Sequence, residues 1–386
     1  MTWKRAVFAL FAVAAGTNVP TPLLLVYQER LGLSPEVLTA LFGFYAAGLV
    51  PALFLAGPLS DRLGRRRVAL PGMVLSAVAS VAFALAGDAL QLLFAARFLQ
   101  GVVSGVVFSV GSAWVAELSL TAGDGAGGRR AAFAMSGGFS LGPFVSGLLG
   151  QYAPAPTVLP YLLHTVLVAV GLTLAVRLPE TVDLVPAGRR RTATGAPTAP
   201  LIGPGDGWLV LTVLAPVAVC VYAFPTAVVS AVPVLVELPA AGVLVTGLLA
   251  GGTLGASTLA AGLQRRLGGW TAVVGTVLGV AGYGSAAAFT ATAGLPWLAA
   301  SSLLLGSGGG LCLAAGLTLT ARLAAPTRRG ALTSLFLACA YVGFSAPYLI
   351  ALAARAGSPT VPLLVAAAVA AALAVRLVPV ARSGRL

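Results

Sequence analysis

The chain has 386 residues, of which 59% are hydrophobic and 9% are charged. A soluble domain carries about 25% charged residues, so this composition excludes a water-soluble globule of this size and calls for a bilayer as solvent. The formal net charge of +13 does not mark a nucleic-acid binder. Lys4 is the only lysine, the arginines stand in short gaps between apolar runs, and no basic stripe is interleaved with aromatics.

A spanning helix needs about 20 mostly apolar residues. Such segments run at 6–28, 36–58, 68–87, 89–118, 130–151 and 157–178. A polar Gly/Pro/Arg-rich stretch follows at 179–207, and six more segments run at 208–231, 240–264, 270–292, 296–321, 330–353 and 360–380. The first begins after Lys4 and Arg5, and Ala12-Val13-Ala14 imitates a signal-peptidase site. The apolar run continues to Tyr27, however, which makes it a first transmembrane helix and not a cleaved leader.

The basic residues test this count, because lysine and arginine favour the cytoplasmic side. With the N-terminus inside, Arg30 and Arg355 fall outside and Arg97 falls within a span. The other twenty of the 23 basic residues occupy cytoplasmic ends and loops. One missed helix would invert the sign for everything after it. The expectation is a multi-pass protein of the cell membrane with twelve spans and both termini cytoplasmic.

The two halves also repeat. Val19-Pro20-Thr21 matches Phe224-Pro225-Thr226, Leu63-Gly64 matches Leu267-Gly268, Ala116-Glu117-Leu118 matches Ala321-Arg322-Leu323, and Gly142-Pro143 matches Ala346-Pro347, all at an offset of 204 or 205 residues. The fold expected is an all-α integral membrane protein of two pseudo-symmetric six-helix bundles, residues 1–178 and 208–386, joined by a cytoplasmic linker at 179–207. Repeats of this kind bind substrate near the midplane, between the two halves. The 48 glycines suit close helix packing.

Between spans 2 and 3 stands Gly57-Pro58-Leu59-Ser60-Asp61-Arg62-Leu63-Gly64-Arg65-Arg66-Arg67. It resembles the G-x-x-x-D-R-x-G-R-R-[KR] signature of the major facilitator superfamily, in the loop where that family carries it. Asp61 lies at the cytoplasmic edge, on the side where span 11 begins near Gly330, and a helix N-terminus stabilises a carboxylate. Arg65 or Arg66 is placed to pair with Glu117 at the end of span 4. The resemblance implies the same contacts, a latch closing the cytoplasmic side. The arginines also serve as topology markers. The equivalent stretch of the second half, Gly262-Leu263-Gln264-Arg265-Arg266-Leu267-Gly268, has no aspartate.

Two looser matches follow. Arg97-Phe98-Leu99-Gln100-Gly101 resembles the family's span-4 pattern R-x-x-Q-G. The run from Gly138 through Gly142, Pro143 and Gly147 resembles the span-5 pattern G-x-x-x-G-P-x-x-G-G, with Ser146 in place of one glycine. That pattern is associated with drug:proton antiporters. Gly142-Pro143 bends the helix, whether to seal the pathway against leak or merely to pack.

Polar residues within spans are functional candidates. Arg97 is expected to line the central cavity and to bond span 1 or the substrate. Asn18 in mid-span 1 bonds across helices or to substrate. His164, the only histidine, either relays protons or bonds a neighbouring helix. None of the ten acids lies near the centre of a span, so coupling would fall to Asp61, Glu117, Glu36, Asp88 or His164. Cys220, Cys312 and Cys339 lie in apolar runs as small buried hydrophobes without disulfide or metal-ligand spacing.

The expected function is secondary active transport of a small organic molecule by alternating access, coupled to protons and directed outward, by a monomer in the lipid bilayer without cofactor or metal. Alternatives are a sugar or metabolite uniporter or symporter and, in another class, a non-transporting receptor or membrane-embedded enzyme. Against an enzyme stand the short loops and the lack of paired carboxylates or a Cys/His cluster. Against ATP-driven transport stands the lack of a phosphate-binding glycine loop with lysine.

Overall fold

The computed structural model describes residues 2–119, 126–181, 207–236, 238, 241–323 and 329–384, with backbone alone at 329–331 and 334. Of the expected linker, residues 182–206 lie outside the described residues, as do Asp124 and Glu237. The described chain is helical with no strand, since a backbone crossing hydrocarbon must bond its own N–H and C=O groups. Among the described residues, eleven helical segments are long and apolar enough to cross a bilayer, and Leu159–Ala175 is a shorter apolar helix of 17 residues. These are the twelve segments read from the sequence.

The chain folds as two compact units, Met1–Arg190 with Pro239–Gly251, and Arg191–Leu238 with Gly252–Leu386. The first contains α1 (Thr2–Thr17), α2 (Pro20–Leu31), α3 (Pro35–Leu63), α4 (Arg65–Leu85), α5 (Leu90–Glu117), α6 (Ala126–Tyr152) and α7 (Leu159–Ala175). Its core gathers Leu10 and Val13 of α1, Met73 of α4, Val103, Val107 and Trp114 of α5, and Val168 of α7. Lipid tails are as apolar as these side chains, so close van der Waals packing, more than removal from water, holds the unit together.

The second unit opens with a rod from Gly207 to Leu235: α8 (Gly207–Leu209), a π-helical turn at Val210–Leu214, α9 (Ala215–Thr226), a second π-helical turn at Ala227–Ala231, and α10 (Val232–Leu235). There follow α11 (Gly242–Ala261), α12 (Gln264–Leu267), a 3-10 turn at Gly268–Trp270, α13 (Thr271–Thr292), α14 (Leu295–Leu323), α15 (Arg329–Val342), a 3-10 turn at Gly343–Ser345, α16 (Ala346–Ala354) and α17 (Thr360–Arg382). Pro347 lacks the amide that would bond Gly343 O, which accounts for the 3-10 turn there. Helices α13 and α14 pack together, and α14 and α15 pack on α9.

Residues of α11 up to Gly251 belong with the first unit. Gln151 Oε1 accepts the amides of Val243 and Leu244 at 3.2 and 3.5 Å. A Cβ at Gly247 would meet Pro143 O at 2.6 Å and Gly147 Cα at 2.9 Å, so two glycines let these backbones touch.

Two local features depart from the sequence reading. Span 1 was expected as one helix over 6–28, but it breaks at Asn18–Val19, between α1 and α2. Pro20 has no amide to bond Gly16 O, and Pro22 none to bond Asn18 O. The family-like motif was expected in a loop, but Gly57–Leu63 form the last turns of α3 and Arg65–Arg67 the first turn of α4. Gly64 alone makes the corner, at φ 103°, with its amide on Ser60 O at 2.9 Å; that φ is one only glycine adopts freely.

Candidate functional site

The break in span 1 strips two carbonyls of their regular helical partners. Gly16 O finds no amide on Pro20 and keeps only that of Val19 at 3.2 Å, and Thr17 O loses its own because the Thr21 amide turns to Asn18 O at 3.1 Å. The span-4 pair answers both. Gln100 Nε2 donates to Gly16 O at 2.6 Å, and Arg97 Nη1 donates to Thr17 O at 2.8 Å. Arg97 Nη1 also donates to Gln100 Oε1 at 2.6 Å, which fixes the amide orientation, since the arginine can only donate and Gly16 O can only accept. Residues three apart on α5 face the same way, so the R-x-x-Q spacing sets two donors against one broken turn.

Helix α3 closes the other side. Arg97 Nε and Nη2 lie 3.4 and 3.3 Å from Phe42 O, and the guanidinium lies 4.8 Å from the Tyr45 ring centroid and 5.3 Å from that of Phe42. This approach depends on Gly101, where a Cβ would run into Tyr45 O. Arg97 is 1% exposed. The sequence placed it on a cavity wall; in this conformation it is enclosed, its donors spent on two carbonyls of the break region and α3 and on Gln100. A buried arginine is costly unless its protons are bonded. Here backbone dipoles and aromatic faces supply that compensation, and among the described residues no carboxylate forms a hydrogen bond or ion pair with it.

Asn18 sits in the break, half-buried, and among the described residues its side-chain amide has no hydrogen-bond partner. Three residues on, Thr21 Oγ1 is buried and likewise unpartnered. Ser146 donates to Val19 O at 2.6 Å, which gives a purpose to the serine that replaces a motif glycine. Gly138 and Gly142 of α6 lie against α1, where a Cβ at Gly138 would come 2.7 Å from Ala15 N and one at Gly142 would run into Ala15 O. Gly147 and the Pro143 carbonyl face Gly247 instead.

His164 is buried on α7 with both ring nitrogens engaged. Nε2 lies 3.0 Å from Ala12 O and Nδ1 lies 2.6 Å from Ser80 Oγ. A carbonyl only accepts, so Nε2 carries the proton and Nδ1 accepts from the serine. The ring fills the space over Gly16, where a Cβ would strike it. The geometry is that of a helix-to-helix tie, with no carboxylate hydrogen-bonded to the ring among the described residues.

The second polar cluster stands at the end of the unit where α3 turns into α4. Of the two arginines considered for Glu117, Arg65 makes the pair: Nη2 lies 2.8 Å and Nε 3.1 Å from Glu117 Oε1. Its Nη1 donates to Ser60 Oγ at 2.6 Å and pairs with Asp61 Oδ1 at 2.5 Å. Arg65 is 12% exposed, Glu117 28% and Asp61 63%, so one shielded guanidinium bridges two carboxylates that water reaches. Arg62, Arg66 and Arg67 are exposed. A Cβ at Gly57 would find Ser109 Oγ at 3.3 Å.

Sequence reasoning missed the third carboxylate here. Glu180 accepts the amides of Arg65 and Arg66 at 2.8 and 3.0 Å, capping the first turn of α4. It lies so close over Gly64 that a Cβ there would strike it. Thr181 Oγ1 donates to Glu117, and Trp114 Nε1 donates to Pro179 O at 3.0 Å. Residues 179–181, read as the start of a free linker, are bound to the cluster. The available signal was charge placement: Asp61, Glu117 and Glu180 are the acids at the same-side ends of spans 2, 4 and 6.

Over 107 residues, 28% of this chain and 26% of the relative, the chain is 35% identical to the chloramphenicol resistance protein CraA of Acinetobacter baumannii. Over 80 residues, 21% of this chain and 20% of the relative, it is 41% identical to the multidrug resistance protein MdtL of Shigella flexneri serotype 5b. The matches thus span about a quarter or a fifth of these relatives. Two similar solved folds are the peptide transporter POT in complex with sulfate, with a TM-score of 0.81 at 16% identity over 99% of this chain and 94% of that one, and a mutant of the nucleoside transporter NupG, with 0.77 at 13% identity over 98% and 99%. The family model of the Major Facilitator Superfamily matches residues 6–345, and the protein belongs to that family of transporters.

Proposed function

We propose that the protein is a secondary active transporter that exports a small, weakly polar organic molecule by alternating access, in exchange for protons. It works as a monomer in the cell membrane with both termini in the cytoplasm. The observation that carries this reading is the break at mid-span 1. A discontinuous helix near the midplane is where transporters of this architecture hold substrate. Here the break is fixed by Arg97 and Gln100, while Asn18 and Thr21 beside it keep polar side-chain groups without a hydrogen-bond partner among the described residues.

The surrounding chemistry narrows the substrate. Arg97 spends its protons on carbonyls and on Gln100, so among the described residues the groups at the break are neutral hydroxyls and amides such as those of Asn18, Thr21 and Ser146. A neutral or lipophilic compound with one or two hydrogen-bonding groups fits best. The resistance-protein names of CraA and MdtL are consistent with such a substrate. Coupling then belongs to carboxylates at span ends. Glu36, 7% exposed in the first turn of α3, is the most buried of them among the described residues.

The test uses inverted vesicles energised to an acid interior, challenged with lipophilic cations, neutral antibiotics, sugars and amino acids while the pH gradient is followed. A lipophilic compound should collapse the gradient, less so with Asn18→Ala or Glu36→Gln. If radiolabelled compounds equilibrate while the gradient holds, the protein is a uniporter or uses another ion, and the exchange reading fails.

A further inference from the structure

A basic cleft lies apart from both polar clusters. Trp3 and Val7 of α1 and Ala126, Arg129, Arg130 and Phe133 of α6 form it, with a volume of about 560 Å³ open to the surroundings. The Arg130 guanidinium lies 3.6 Å from the Trp3 ring centroid, and Lys4 Nζ lies 5.8 Å from the same ring. Arg130 Nη1 is enclosed and, among the described residues, has no hydrogen-bond partner. A guanidinium proton left unmade in such a place is unfavourable. One turn further along α6, Phe133 is 76% exposed, on the face that Arg129 shares.

The chemistry is graded along the helices. Three cations and an indole stand at the ends of α1 and α6, where a membrane protein meets the headgroup layer, and bare apolar side chains follow toward the hydrocarbon. Indoles settle at that interface, and basic pockets between spans take anionic headgroups. A free phosphate would use the arginines but leave Phe133 without a role, and an acidic peptide would face hydrocarbon there.

We propose that this cleft binds a phospholipid of net negative headgroup. The phosphate oxygens accept from Arg129 and Arg130 beside Lys4, and one acyl chain lies along Phe133 and Val7. This inference concerns the bilayer-facing surface and does not depend on the substrate or on proton coupling.

The test takes the purified full chain, delipidated and exposed to mixed micelles of phosphatidylglycerol and phosphatidylcholine with the same acyl chains. Retained lipid is counted by native mass spectrometry. Phosphatidylglycerol should be preferred, and Arg129→Ala with Arg130→Ala should lower its retention about thirtyfold with phosphatidylcholine unchanged. Arg265→Ala with Arg266→Ala, a basic pair of the second unit, should keep the preference. Should the alanine pair fail to fold, Arg129→Lys with Arg130→Lys preserves the charge and should retain the anionic lipid. Equal retention of the two lipids by the unaltered protein, or undiminished phosphatidylglycerol in the alanine pair, overturns the proposal. Displacement of the lipid by millimolar inorganic phosphate overturns it too, in favour of a free-phosphate site.

Discussion

Arg97 and Arg65 occupy the same unit and meet opposite fates. Arg97 is buried at mid-span, pairs with no carboxylate among the described residues, and spends its protons on Thr17 O, Phe42 O and Gln100. Arg65 stands at the end of its span and holds Asp61, Ser60 and Glu117 at once. In hydrocarbon, Thr17 O, left by the Thr21 amide, has no water to turn to, so the bond from Arg97 is exchanged for nothing when broken. At the span end, water replaces each partner of Arg65, so its bonds exchange at low net cost. One arginine is suited to hold a shape, the other to release and re-form.

Substitutions break that comparison in order of expected size. Arg97→Ala takes the arginine's protons from Thr17 O, Phe42 O and Gln100 Oε1 and should cost roughly 3 kcal/mol, lowering the apparent melting temperature by about 6–12 °C and abolishing transport. Scanning fluorimetry beside vesicle transport reads both. Gly101→Ala forces α3 from α5 at Tyr45 O and should cost about 1–3 kcal/mol; its effect should not add to that of Arg97→Ala, since both loosen the same crossing.

Glu117→Gln leaves Arg65 with Asp61 and Ser60. It should cost about 1 kcal/mol of stability, while changing the transport rate several-fold and flattening its dependence on ionic strength. Glu180→Gln keeps an acceptor but removes the charge from the first turn of α4 and should shift stability by about 0.3–1 kcal/mol. Faster hydrogen exchange of the Arg65 and Arg66 amides would report it. A larger effect from Glu180→Gln than from Glu117→Gln would place the weight of the cluster on the helix cap instead of the ion pair.

Much of the fold was legible because hydropathy and arginine placement report the bilayer directly. Spans 4 and 10 differ from their expected bounds by a residue or two. That Arg65 or Arg66 pairs with Glu117 was legible from charge at matching span ends, and the structure selects Arg65. What was not legible depends on which backbone groups become unsatisfied. Span 1 read as one helix, and only the structure shows that Gly16 O and Thr17 O lose their regular helical amides, and hence why Gln100 follows Arg97 by three. Ser146 read as a departure from a glycine pattern, and its bond to Val19 O needs three-dimensional proximity across 127 residues of sequence. The place of Glu180 was hidden for the same reason: its partners are backbone amides, which every sequence has.

The central claim is that Arg97 maintains a fixed shape while Arg65 exchanges partners. Hydrogen-exchange mass spectrometry on the protein reconstituted in vesicles, at rest and during transport of a compound found in the gradient assay, tests it most directly. The account predicts that turnover speeds exchange at the Arg65 and Arg66 amides and leaves the amides of Thr17, Val19 and Thr21 unchanged. Faster exchange across the span-1 break, with Arg65 and Arg66 still protected, would contradict it.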